Sequence, residues 1–148
     1  MENRARCASA VAANGKTLTT IFGTGDVLAA KILGHVGDVR LFGSVDALAS
    51  HAGTVPIEVS SGEVTRHRRS RNGNRAFNNA LRLAARVQTM HPRPGLDHYE
   101  RKLAEHKSSR ATLRSLKRQA AEVVYRHVAA DQVHRVALAS SSPPRSFP

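Results

Sequence analysis

The sequence predicts a mainly α fold: a helix-hairpin-helix module, a short β-segment and long C-terminal helices. Three observations carry that prediction. Apolar residues recur at helical spacing along most of the 148 residues, glycines and capping residues punctuate those segments, and one stretch alone alternates with the period of a strand. The length and the 41% apolar content suit one modest core.

The elements follow in order. Arg4 to Ala13 is alanine-rich, and Asn14-Gly15 supplies a left-handed stop, so a short first helix is expected. Thr17 to Phe22 adds a helical turn before Gly23-Thr24-Gly25. Val27, Leu28, Ala30, Ile32, Leu33 and Val36 then lay an apolar stripe on a second helix, closed by Gly37. Ser44 is an N-cap for a third helix from Val45 to His51, with Gly53 just beyond its end. Thr54 to Val59 alternates Val55, Ile57 and Val59 as a strand whose Pro56 belongs at an edge, and Ser60-Ser61-Gly62 reads as the turn after it.

Beyond an arginine-rich stretch, Asn72-Gly73-Asn74 signals a turn and cap for a helix from about Arg75, with Phe77, Leu81, Ala84, Ala85 and Gln88 along one side. That helix must end before Pro92. His91 to Gly95 reads as a stiff linker, and Leu96 to His106 as another helix. Ser108 or Ser109 caps a long helix through about Ala130, whose apolar face is Leu113, Leu116, Ala120, Val123, Val124, His127 and Val128. Ser140 to Pro148 has no core-forming pattern and reads as a disordered tail. The domain boundaries are therefore read as 1–16, a short helix, 17–130, the domain, and 131–148, a tail.

Charge narrows the partners. There are 23 Lys and Arg against 11 Asp and Glu, a formal net charge of +12, which favours a polyanion. Residues 1–62 hold five basic and five acidic side chains, so the whole excess lies in 63–148. The lone Cys7 rules out an intramolecular disulfide, and the longest apolar stretches fall far short of the roughly 20 residues a membrane helix needs. No secretory leader is visible, which reads as a cytoplasmic protein with no membrane partner. The eight histidines show no H-x-x-x-H pair, so no zinc site is expected; Asp26, Asp38 and Asp46 read as caps and turn residues.

Two features point to a phosphate ligand. Gly23, Thr24 and Gly25 permit a tight turn whose backbone N–H groups, at the start of the next helix, can hold a phosphate without reading sequence, with Thr24 nearest the nucleic-acid backbone. The alternative is a hairpin that merely packs two helices. Between Arg66 and Arg86 lie seven arginines and no acid; Arg66, Arg68, Arg69 and Arg71 supply forked donors suited to phosphate, with Asn74 and Arg75 following. Such a run is most often a solvated face, but without acids it repels itself until an anion neutralises it. Aromatic residues are 4% of the chain, which argues against base stacking as the main mode. Ser-Ser-Gly alone is ordinary turn composition.

The order IFGTGDVLAAKILGHVGD, HAGTVPIEVSSG, RHRRSRNGNRAFNNAL and then YERKLAEHKSSRATLRSLKRQAAEVVYRHV resembles the C-terminal transposase domain of the bacterial insertion-sequence family IS one-ten, with IS one-sixteen and IS nine-oh-two. The resemblance covers about Thr17 to Ala130. It implies a serine nucleophile directly before the glycine of a P-x-x-x-x-S-G pattern, which maps onto Ser61, with Pro56 and Gly62 completing the match and Ser60 as the fallback. The family's basic segment and R-x-G-N element map onto Arg66, Arg68, Arg69, Arg71, Gly73 and Asn74.

The resemblance also implies DNA as partner, a guide (bridge) RNA, homo-oligomers in the full-length family, and a location at the bacterial nucleoid. An N-terminal RuvC-like domain with a DEDD quartet would bind magnesium; the resemblance implies that this chain begins near the end of the inter-domain helix, with 1–16 as a remnant of that linker, and carries no metal site of its own. The expectation is a truncated or remnant transposase that binds DNA and contributes a serine nucleophile, inactive alone. The alternative is a non-catalytic DNA- or RNA-binding module.

Overall fold

The structure, a computed structural model, describes residues 2–14, 16–21, 23–54, 56–61, 64–69 and 74–141. It is mainly helical: α1 (Glu2–Asn14), a 3-10 helix (Lys16–Thr20), α2 (Asp26–Val36), a second 3-10 helix (Val39–Leu41), α3 (Val45–His51), the strands β1 (Pro56–Ser61) and β2 (Val64–Arg69), then α4 (Arg75–Gln88), α5 (Pro94–Ala104) and α6 (Ser109–Ser141). Expectations on Gly15, Phe22, Val55, Gly62, Arg71, Asn72, Gly73 and residues 142–148 lie outside the described residues.

Local chemistry sets most boundaries. Ser44 accepts a hydrogen bond from the Ala47 amide at 3.2 Å and starts α3, while Asn74 Oδ1 accepts from the Phe77 amide at 3.0 Å and starts α4. Gly37, at φ 59°, closes α2 by donating its N–H to Leu33 O at 2.9 Å. Asp38 caps the second 3-10 helix through the Arg40 amide, and the Arg40 guanidinium holds its carboxyl down at about 2.

The core lies between α2, α3, α4 and the middle of α6. Leu18, Ile32, Leu48, Phe77, Leu81 and Val128 are fully buried in it, with Ala29, Ala49, Ala121 and Val124 between them. Burying these side chains supplies roughly 1.5–3 kcal/mol for each large one.

Three boundaries differ from expectation. Helix α6 does not stop near Ala130 but runs to Ser141, because its continuation is tied down: Asp131 Oδ2 accepts from Thr17 Oγ1 at 2.8 Å, and Gln132 bridges Val39 N (3.1 Å) and Gly37 O (3.0 Å). Residues 131–141 are thus helix rather than tail. Helix α5 begins inside the supposed linker, at Pro94, since proline is well accommodated in a first turn. Ser60 and Ser61 are paired strand residues, not a turn; Val64 and Thr65, both β-branched, stand opposite them in β2, which lies within the arginine-rich stretch.

Candidate nucleic-acid interface

β1 and β2 form an antiparallel ribbon with the register Pro56↔Arg69, Ile57↔Arg68, Glu58↔His67, Val59↔Arg66, Ser60↔Thr65 and Ser61↔Val64. Strand positions alternate between faces. Positions 57, 59, 61, 64, 66 and 68 therefore share one face, which carries Ser61, Arg66 and Arg68. Ser60, Glu58, His67 and Arg69 fall on the other. Ser61 and Arg66 are diagonal neighbours in this register.

The described residues that flank the ribbon, up to Thr54 and from Asn74, are fastened to the helical body. At the exit, the Asn74 amide N–H donates to His51 O at 2.7 Å, and Asn74 Nδ2 donates to His35 Nδ1 at 3.0 Å. Asn74, expected among the phosphate contacts, therefore has both ends of its side chain committed to capping and to α2. Asn78, one turn later and 4% exposed, donates from Nδ2 to Ala52 O (2.8 Å) and Gly53 O (3.0 Å) at the entry, and accepts from Lys117 Nζ at 3.1 Å. Sequence reasoning missed Asn78 and Lys117; polar residues within apolar helix faces were the available signal.

The glycine turn divides into two kinds of residue. Gly23 adopts φ +87°, and a β-carbon there would meet the Ala84 carbonyl oxygen at 2.9 Å, so its role is close packing on α4. Thr24, expected nearest the phosphate, is 5% exposed and its N–H already donates to Ile21 O at 3.0 Å. Gly25 differs: it is exposed, has open space around the position of a β-carbon, and caps α2 without any side-chain acceptor. The open N-terminus of α2 is thus what the turn offers, with the Asp26 carboxylate in the first helical turn opposing an anion there.

Arg75 is exposed on the first turn of α4. Among the described residues, no three His, Cys, Asp or Glu side chains come together as a metal site. No described helix is long and apolar enough to cross a membrane.

A mainly helical domain with a basic two-stranded arm is the class of protein these features define. Residues 15–101 match the model of the Transposase IS116/IS110/IS902 family, and the chain belongs to that family. It is 33% identical over 104 residues to the "Insertion element IS116 uncharacterized 44.8 kDa protein" of Streptomyces clavuligerus, a match over 70% of this chain and 26% of that relative. The chain thus spans about a quarter of the length of the curated relative it matches.

Proposed function

We propose that this chain is the DNA-holding, serine-bearing segment of an insertion-sequence transposase. Family membership supports transposition as the process. The observation that carries the chemical half is the ribbon register, in which Ser61 shares a face with Arg66 and Arg68.

In this reading the Ser61 hydroxyl oxygen attacks the phosphorus of one DNA phosphodiester. An Oγ–P bond forms, one P–O bond to deoxyribose breaks, and the serine proton ends on the departing sugar hydroxyl. Guanidinium groups beside the phosphate stabilise the charge that accumulates on its non-bridging oxygens. Arg66, Arg68, Arg69, Arg71 and Arg75 grip neighbouring phosphates, and Gly25 lets the backbone at the start of α2 approach another, the part of a helix-hairpin-helix. Asn74 acts from behind, by holding the ribbon's exit. Ser60 is the fallback nucleophile, and its ribbon face carries Arg69 alone among the three strand arginines. The excess positive charge also suits a structured guide RNA, and family members of greater length would act as homo-oligomers.

The test uses labelled element-end DNA and a polypeptide that joins this chain to the remaining segment of the family. The parent and Ser60→Ala should give a denaturant-resistant protein–DNA adduct, and Ser61→Ala none. An adduct that persists in Ser61→Ala overturns the assignment. A binding-only module predicts no adduct from any of the three, with DNA retention that still falls by roughly a thousandfold between 50 and 200 mM salt for about six neutralised phosphates.

A further inference from the structure

The outer face of α4 carries a feature that the ribbon and the glycine turn leave unexplained. Arg75, Asn79, Arg82 and Arg86 are spaced i, i+4, i+7 and i+11, which stacks them in one row along the helix. All four are exposed, while Phe77, Leu81, Ala84 and Ala85 on the opposite side are buried. At 1.5 Å per residue the row is about 16 Å long.

What sets the row apart is the uncompensated charge along its own helix. Arg75, Arg82 and Arg86 form no ion pair among the described residues, and α4 contains no acidic residue at all. Arg82 and Arg86 stand one turn apart with like charge, and Arg75 occupies the helix's positive end, where a carboxylate is favoured; both placements cost helix stability when no anion is present.

We infer that Arg82 and Arg86 carry the grip of Arg75 onward along α4, making this face a second contact surface for the phosphate backbone of double-helical DNA. The inference rests on the DNA-holding reading above. Three guanidinium groups at fixed intervals on a rod match a polyanion that is itself stiff over the same distance. Duplex DNA, with a persistence length near 150 base pairs and a charge every ~1.7 Å of axis, meets that requirement; a flexible single strand does not. Arginine forks grip phosphate oxygens in pairs, and Asn79 adds an amide donor between them.

The experiment measures binding of the whole chain to a 30-base-pair DNA duplex, and to an RNA duplex of equal length, across 50–200 mM salt. The double variant Arg82→Gln, Arg86→Gln should flatten the slope of log affinity against log salt by about 2 on DNA, since each phosphate contact contributes about 0.9. Glutamine has a helix propensity close to that of arginine, so an unchanged helical circular dichroism signal is expected. The corresponding lysine double variant should keep most of the slope. A glutamine variant with the parent's slope overturns the α4 surface, and if Arg66→Gln, Arg68→Gln, Arg69→Gln flattens it in parallel the DNA-holding reading stands without it. A slope change seen on RNA alone overturns the assignment to DNA. A parent chain with no salt dependence sinks both readings.

Discussion

Lys117 on α6 donates a hydrogen bond to Asn78 on α4 at 3.1 Å, with both side chains buried. Asn78 is thereby a hub. Its amide nitrogen reaches the Ala52 and Gly53 carbonyls just before β1, while its helix begins soon after β2. One side chain thus connects the ribbon's entry to the helix that starts at its exit, and a cation from α6 holds its oxygen.

Asn78→Ala should therefore lower stability by about 3 kcal/mol, because two buried carbonyls and a buried ammonium lose a partner together. Asn78→Asp should also destabilise, despite the new charge beside Lys117, since a carboxylate cannot donate to Ala52 and Gly53. Urea unfolding monitored by circular dichroism checks both; a stable Asp variant would show that the amide donors matter little.

Gly23 and Gly25 should part company on mutation. Gly23→Ala forces a β-carbon against the Ala84 carbonyl at a positive φ, and should cost about 1–3 kcal/mol. Gly25→Ala has room and φ −82°, so its melting temperature should hold near the parent's. If the α2 N-terminus takes a phosphate, Gly25→Ala weakens DNA binding with the fold intact; equal binding by this variant removes the turn from the interface.

His98 makes α5 docking sensitive to acid. Its Nδ1 accepts from Arg101 at 3.2 Å and stands 3.4 Å from Gln119 Nε2, which fixes the neutral tautomer with Nε2–H facing Ser115 Oγ. Burial first, then the charges of Arg101 and Lys102, push its pKa below the ordinary histidine value. The folded state therefore binds this proton less readily than the unfolded chain. Stability should be intact above about pH 6.5 and should fall as the pH drops below that, a loss that His98→Gln reduces. Thermal melts from pH 7.5 to 5 measure it, and identical profiles for parent and variant would exclude His98 as the cause.

Truncation should separate helix from tail. A chain ending at Ser141 should melt as the parent does, whereas one ending at Ala130 loses the bonds of Asp131 and Gln132 to the two 3-10 helices and to Gly37, and about 3 kcal/mol at roughly 1 kcal/mol per net bond. Equal stability of the two truncations would return residues 131–141 to the tail.

The Ser44 and Asn74 caps, the Gly37 stop and the apolar stripes of α2 and α4 were legible in the sequence, because each depends on residues within about a turn of one another. Charge asymmetry was equally plain, being a matter of counting. What a side chain does once its element is packed was not legible in this way. Asn74 meets His35 across 39 positions, Asn78 meets Lys117 across 39, and Thr17 meets Asp131 across 114. Those meetings tie the Asn74 amide to α2, join α4 to α6 and carry α6 past its expected end. Strand pairing likewise set which residues stand across from Ser60 and Ser61, Thr65 and Val64, a distinction no local pattern holds.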